Sequence, residues 1–221
     1  MRSIQDSAKV NYIEILVSEK FEDEASNKIL AALSLDNLLG INIGLLEVQI
    51  LNFLIQSNHI KKIVEVGSLY GYSAYHMAKC LPKDGKLWSI EKNQKNFNKA
   101  QELIASSDQA EKIELIEGDA KVKLEELKTK APFDLIFIDA NKGAYGDYLN
   151  WAKDCLRPGG LVVGDNTFLF GSVYDESEKT HNMSSKNIQV MKDFNQSLID
   201  SKSFETMVLP TPEGLTVAIK K

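Results

Sequence analysis

Cysteine is scarce in this sequence and does not cluster: among 221 residues the only thiols are Cys80 and Cys155. That spacing argues against a disulfide bridge and against the paired-cysteine pattern of a zinc site. It fits two free, buried thiols in a reducing cytoplasm. Long apolar runs are missing too. No stretch approaches the roughly 18 consecutive apolar residues that a membrane span needs, and the start of the chain has no apolar segment of signal length. The expectation is a soluble, cytoplasmic protein with no membrane partner. Nor is there an excess of one charge, because 26 Lys and Arg are mixed with 31 Asp and Glu for a net charge of −5. Such a balance does not point to a nucleic-acid surface, a local basic patch aside. Internal repeats and low-complexity tracts are absent.

What the sequence does contain is enough apolar residue, 43% of the chain, to bury one substantial core, so a single domain over residues 1–221 is expected. Residues 1–60 read as a helical arm. Near-helical apolar spacing runs over 10–18 (Val10, Ile13, Val17), over 25–39 (Ile29, Ala32, Leu33) and over 45–55 (Leu46, Ile50, Phe53, Leu54). With no strand pattern there, the arm is expected to pack beside a sheet or on a second subunit. From Lys61 onward strands and helices alternate, with strands at 63–66, 86–90, 113–117, 135–138, 161–163, 206–209 and 215–219. Helical stretches separate the first five, which predicts a mostly parallel sheet covered on both faces. The last two strands are joined by residues 210–214, too short for a crossover, so they must pair antiparallel. The fold class is α/β, Rossmann-like: seven strands, mostly parallel, closed by a C-terminal antiparallel hairpin.

Residues 64–73, VEVGSLYGYS, are the stretch the rest is organised around. A strand breaks at Gly67, and Gly71 precedes a helix start, the place where α/β proteins hold nucleotide-like ligands. The Gly67-to-Gly71 spacing matches neither the dinucleotide pattern nor the phosphate loop, and no lysine follows. A glycine corner with an acid ahead of it, Glu65, suits a ligand with an amino-acid end and a nucleoside end, such as S-adenosylmethionine. Ser73 either caps the following helix or donates to the ligand's carboxylate. Ligands of such sheets sit at the carboxyl ends of the strands, where Gly67, Glu91, Asp119, Asp139 and Asp165 fall. Glu91 lies at about the offset at which an acid meets ribose hydroxyls; its plainer role is a solvated acid beside Lys92. Asp119 ends the third strand where an adenine edge would lie, or caps a turn.

Asp139 and the Asp165-Asn166 pair form a second constellation. Tips of neighbouring strands lie roughly 4.8 Å apart, and two unscreened carboxylates there would repel. A divalent cation resolves the conflict. With the Asn166 carbonyl it would have three hard oxygen ligands and open positions for water and substrate, the preference of Mg²⁺, with Ca²⁺ or Mn²⁺ as alternatives. The plainer role of both aspartates is helix capping. Lys142 follows three residues after Asp139, and taken alone its plainer role is a surface lysine. Held near a cation and partly desolvated, its ammonium form is disfavoured, which makes it a candidate general base near neutral pH. A further stretch, 168–186, carries Phe168, Phe170, Tyr174, His181 and Met183 without periodicity, and reads as a lid or a surface insertion. Residues 175–178 read as a solvated acidic tip, and His181 is assigned no role.

These motifs, with LRPGG at 156–160, GSV at 171–173 and GLTVA at 214–218, resemble the cation-dependent O-methyltransferases. That family comprises the plant caffeoyl-coenzyme A O-methyltransferases and bacterial relatives, and catechol O-methyltransferase is more distantly similar. The resemblance runs from about Ile41 to the end of the chain and is weaker in the arm. It implies cofactor contacts from Glu65, Gly67, Ser68, Ser73, Glu91 and Ala120, with Asp119, Asp139 and Asn141 nearby and Ile41 and Ile43 in a loop that closes over the methionine end. It implies a cation on Asp139, Asp165 and Asn166, and a base at Lys142. Asn141 stands where plant members commonly have Asp, Val48 where a Glu/Gln-Gly pair is usual, and Phe170 where the coenzyme A enzymes have an Asn against substrate. The implied acceptor is a phenolic small molecule of vicinal-diol type, and the implied assembly a homodimer. Two other readings stay open: a methyltransferase acting on protein or RNA, and a catalytically silent partner subunit.

Overall fold

The computed structural model describes residues 4–21, 23–175 and 184–221. In chain order the elements are α1 (Ile4–Phe21), α2 (Glu24–Leu35), α3 (Leu45–Ser57), β1 (Lys62–Val66), α4 (Tyr72–Cys80), β2 (Lys86–Glu91), α5 (Gln94–Ala105), β3 (Ile113–Glu117), α6 (Ala120–Leu127), β4 (Phe133–Ile138), α7 (Tyr145–Cys155), β5 (Leu156–Asp165), α8 (Ser185–Ile199), β6 (Phe204–Leu209) and β7 (Leu215–Lys220). The strands form one seven-stranded mixed sheet in the order β3-β2-β1-β4-β5-β7-β6. Both the parallel strands and the antiparallel closing hairpin of the sequence reading are present. Two compact units can be distinguished, one made of residues up to 61 with 68–117, the other of 62–67 with 118–221.

The first unit holds the helical arm, α4, α5 and the parallel pair β2/β3, registered from Leu87 opposite Ile113 to Glu91 opposite Glu117. Asp23 caps α2 by accepting from the Ser26 backbone N–H at 2.8 Å, and Ile29, Ala32 and Leu33 are buried as their spacing predicts. Helix α3 departs from expectation. Its buried apolar residues are Val48, Leu51 and Ile55, whereas Phe53 is exposed and Leu46, Ile50 and Leu54 are half-buried. The physical reason is that α3 is apolar around most of its circumference, so periodicity alone does not choose the inward face. Tyr12, Ile15 and Leu16 of α1 are exposed as well.

At the centre of this unit lies His76 of α4, 1% exposed. Its Nε2 is 3.2 Å from Ser26 Oγ, and the rings of Phe21, Tyr72 and Tyr75 meet it edge-on. Burial, reinforced by the Lys79 charge and only partly offset by Asp23, pulls the imidazole down to about 4. His76 is therefore neutral at physiological pH.

In the second unit β1, β4 and β5 run parallel, β7 pairs antiparallel with β5, and β6 closes the edge on β7. Strand β5 starts at Leu156, ahead of the expected 161. The register jumps from Phe133 opposite Leu156 to Leu135 opposite Leu161, so residues 157–160 bulge from the ladder instead of preceding it. Gly159, at φ +74°, supplies the left-handed residue that such a bulge needs. Arg157 Nε donates to Asp134 Oδ1 at 2.6 Å, and Asp134 Oδ2 accepts from the Lys62 N–H at 2.7 Å. Both cysteines are free; Cys155 is buried and Cys80 half-buried, and burial raises both thiols above their ordinary range. Among the described residues no helix is long and apolar enough to cross a membrane.

Candidate active site

In the second unit, the last registered pair of β4 and β5 is Ile138 with Gly164. The next residue on each strand is therefore an aspartate, Asp139 and Asp165, as the strand-end reading expects. Val66 accepts from the Asp139 N–H at 2.9 Å, which carries the β1/β4 pairing one residue further. Gly67 follows with φ +100°, and a Cβ added there would stand 1.9 Å from the Asp139 carbonyl oxygen. Its lack of a side chain is thus required by this close backbone approach, whatever ligand the loop holds.

Lys142 opens a short 3₁₀ turn (Lys142–Ala144) whose cap is Asn141; the Asn141 Oδ1 accepts from the Gly143 N–H at 3.1 Å. The turn folds Lys142 back over the strand tips. Its Nζ donates to Tyr145 Oη at 2.8 Å, to Asp139 Oδ1 at 3.3 Å and to the Asp165 carbonyl at 3.3 Å. Three N–H groups thus meet three acceptors. The side chain is only 15% exposed, which makes it part of the site and not a surface lysine. Desolvation alone would pull this ammonium down, but Tyr145, Asp139 and Asp165 outweigh it and hold it well above the usual lysine range. That is opposite to the expected direction. The expectation placed a cation's charge beside the lysine; with the carboxylates alone, the neighbouring charge favours the ammonium form.

Tyr145, at the start of α7, is fully buried. Its hydroxyl lies 3.0 Å from the Ile138 carbonyl and 2.9 Å from that of Asp165. Burial raises the phenol, against the downward pull of Lys142, so it stays protonated. Nothing in the sequence reading picked out this residue.

Asn166 adopts a left-handed conformation at φ +55°, and its side-chain Oδ1 is buried with no hydrogen-bond partner among the described residues. The adjoining Thr167 fixes it in place. Thr167 N–H donates to the Gly214 carbonyl at 3.0 Å, its own carbonyl accepts from Asn195 Nδ2 at 3.1 Å, and its hydroxyl accepts from Thr216 Oγ1 at 3.0 Å. Two carboxylates and one unbonded amide oxygen make a hard-oxygen donor set, and the buried acceptor at Asn166 is a fit for a divalent cation. Among the described residues no group of three or more His, Cys, Asp and Glu could hold a metal, so the amide is needed to complete this set.

Residues 168–175 form successive turns, with Gly171 N–H donating to Phe168 at 3.0 Å and Tyr174 N–H to Gly171 at 3.1 Å. The rings of Phe168 and Tyr174 meet edge-on at 5.5 Å. A Cβ at Gly214 would come within 2.4 Å of the Phe168 ring, so Phe168 lies directly over that glycine. Phe170 is half-buried at φ +53°. Ser184 caps α8, which therefore begins inside the stretch read as a loop. Residues 176–178, His181 and Met183 lie outside the described residues.

Asp119 caps α6, its Oδ1 accepting from the Lys121 N–H at 3.0 Å, and Ala120 is the first residue of that helix. Glu65 is wholly buried in β1.

The first unit carries the other cofactor candidates. Glu91, 9% exposed, is not a solvated acid: its Oε2 accepts from the Leu69 N–H at 2.9 Å and its Oε1 from the Asn93 N–H at 2.7 Å. It braces the loop that carries Ser68, whose hydroxyl pairs with Ser89. Gly71, at φ +86°, is the cap of α4, and Ser73 sits inside the helix, so capping is not the role of Ser73. Ile43 is buried, whereas Ile41 is 60% exposed.

The seven-stranded mixed α/β sheet is shared with solved methyltransferases, and comparison with known proteins narrows the class. The O-methyltransferase family model matches residues 22–221. The catechol O-methyltransferase of Niastella koreensis is 32% identical over 218 residues, covering 96% of each chain. Caffeoyl-CoA O-methyltransferase 1 of Arabidopsis thaliana is 32% identical over 179 residues, 77% of this chain and 68% of that one. Among solved structures, the O-methyltransferase TomG of Streptomyces achromogenes, in complex with SAM, superposes with a TM-score of 0.85 at 27% identity, covering 99% of this chain and 100% of that one. An O-methyltransferase of Bacillus cereus in complex with SAH gives 0.84 at 25%, covering 95% and 97%. This chain belongs to the O-methyltransferase family.

Proposed function

We propose that the chain transfers a methyl group from S-adenosylmethionine to a hydroxyl of a catechol-like small molecule, with a divalent cation held by Asp139, Asp165 and Asn166. The observation that carries this reading is the register placing the two aspartates on adjacent strand tips, joined to a buried amide oxygen with no partner among the described residues. Mg²⁺ suits three hard oxygens with remaining positions open, and Ca²⁺ or Mn²⁺ suit the same set. When bound, S-adenosylmethionine supplies a methyl already activated on a sulfonium, and the cation lowers the pKa of a hydroxyl that reaches it.

The chain's own residues bind, orient and move one proton. Contacts to the cofactor come from Glu65, Gly67, Ser68, Ser73, Glu91, Asp119, Ala120, Asp139 and Asn141, with Ile41 and Ile43 closing over its methionine end. Each Glu91 oxygen already accepts one backbone N–H and keeps a second acceptor site for a ribose hydroxyl. Once in its neutral amine form, Lys142 Nζ would receive the phenolic proton. The carboxylate charge that favours its ammonium form is the charge a cation would neutralise. Relatives named for catechol and caffeoyl-CoA support a vicinal-diol acceptor, and Phe170, standing where the coenzyme A enzymes have Asn, favours the free catechol.

We treat the chain as one catalytic domain working as a homodimer in a reducing cytoplasm, where two free thiols persist. The exposed Tyr12, Ile15, Leu16 and Phe53 are the apolar residues such a dimer would cover. Sedimentation velocity of wild type against Phe53→Lys tests this, and a single-chain mass for both proteins would contradict it. For the reaction, methyl transfer from labelled S-adenosylmethionine is measured over catechols, flavonoids, caffeoyl thioesters and monophenols, with Mg²⁺ or with EDTA. Transfer to catechols with Mg²⁺, its loss in EDTA and little on monophenols are expected. Robust turnover in excess EDTA would refute the cation's role.

A further inference from the structure

We infer that Tyr145 is a positioning residue whose hydroxyl holds the tips of β4 and β5 at the spacing the cation needs. This rests on the cation site proposed above. Beyond the registered pair of Ile138 with Gly164, the two strands must still deliver Asp139 and Asp165 to one ion. The Tyr145 hydroxyl sits at that step, 3.0 Å from the carbonyl that precedes Asp139 and 2.9 Å from the carbonyl of Asp165 itself. A phenol has one proton to donate and accepts through its oxygen. Here the oxygen accepts from Lys142 Nζ at 2.8 Å, so the single proton is shared between the two strand-tip carbonyls. Neither tip can move away without giving up its share of that bond.

The same hydroxyl also orients the lysine. Of the three acceptors of Lys142 Nζ, Tyr145 Oη is the nearest; the other two are both at 3.3 Å. The Asp165 carbonyl leads into the left-handed Asn166, so fixing that peptide fixes where the Asn166 amide begins. One buried oxygen therefore touches the strand end before the first ligand, the backbone of the second and, through the adjoining peptide, the direction of the third. The ring itself is held separately, edge-on to Phe194 of α8 at 5.1 Å. Hydroxyl and ring can thus be tested apart.

Tyr145→Phe keeps the ring and removes the hydroxyl. Binding of Mn²⁺ alone to the full chain is followed by the electron paramagnetic resonance signal of the free ion, with thermal unfolding of the metal-free protein as the control. Outer-shell partners of this kind typically contribute about 10–100-fold to metal affinity, and a loss of that size is expected. Phe194→Leu, which loosens the ring and spares the hydroxyl, should lower the unfolding midpoint while Mn²⁺ affinity stays near the wild-type value. Equal Mn²⁺ affinity in Tyr145→Phe and wild type overturns the positioning role and leaves the cation reading standing. A Phe194→Leu protein that loses Mn²⁺ affinity overturns it as well, because ring packing would then be what sets the tips; this arm decides the matter even if Tyr145→Phe does not fold. Wild-type protein that binds no Mn²⁺ removes the cation reading, and this inference with it.

Discussion

His76 and Lys142 are both titratable side chains largely withdrawn from water, and their surroundings treat that charge in opposite ways. At His76, three aromatic rings and one serine hydroxyl surround the imidazole, and desolvation brings it to about 4, leaving it neutral. At Lys142, two aspartates and a phenol surround the ammonium, and they hold its charge against the same desolvation. Burial penalises charge at both sites. What differs is whether the chain has placed opposite charge within reach. The first arrangement packs a helical arm onto α4. The second holds opposite charges together with little exposure to water.

The comparison is sharpened most by removing the lysine charge. In Lys142→Met, turnover should fall by about 10²–10⁴-fold, the usual share of a general base, while cofactor affinity measured by calorimetry is retained. Unchanged turnover would take Lys142 out of the mechanism. Gly67→Ala disturbs the same corner from the backbone, because the added Cβ would press on the Asp139 carbonyl at a φ of +100°. A left-handed non-glycine residue costs about 1–3 kcal/mol and overpacking a similar amount. A fall of at least about 2 kcal/mol in unfolding free energy is expected in urea titrations, and a smaller loss would mean that the tip is free to move.

At the neutral site the effect should appear in the pH dependence of stability. The folded-state value of His76 lies below the ordinary 6.5, so as pH falls the unfolded chain takes up the proton first. Stability contributed by neutral His76 is present above pH 6.5 and is lost as pH falls from 6.5 towards 4. The full span amounts to about 3 kcal/mol. His76→Gln, which keeps a hydrogen-bonding side chain opposite Ser26 and does not titrate, should flatten that acid limb, so that the two stability curves converge towards pH 4. Parallel curves would show that His76 is not the group responsible.

Much of this was legible in one dimension, for reasons that also explain what was not. Apolar runs separated by helical stretches fix a parallel sheet, and the rule that ligands meet strand carboxyl ends then singles out Glu91, Asp139 and Asp165 without coordinates. Asn166 follows as the neighbour of Asp165. Tyr145 stayed hidden because a tyrosine at the start of an amphipathic helix has no signal in spacing; its hydroxyl acquires meaning only when the helix folds back over two strand tips. The bulge at residues 157–160 was missed because Pro158, Gly159 and Gly160 read as strand breakers. Helix α3 was turned the wrong way because both of its faces are apolar. The direction of Lys142's shift depended on the sum of neighbouring charges, which no sequence pattern supplies.

The most direct test of the account is a crystal of the full chain grown with Mn²⁺ and S-adenosylhomocysteine, with anomalous scattering recorded at the manganese edge. One strong anomalous peak bonded to side-chain oxygens of Asp139, Asp165 and Asn166 is expected. A peak bonded elsewhere, or none at those three residues with the cofactor site occupied, would contradict it.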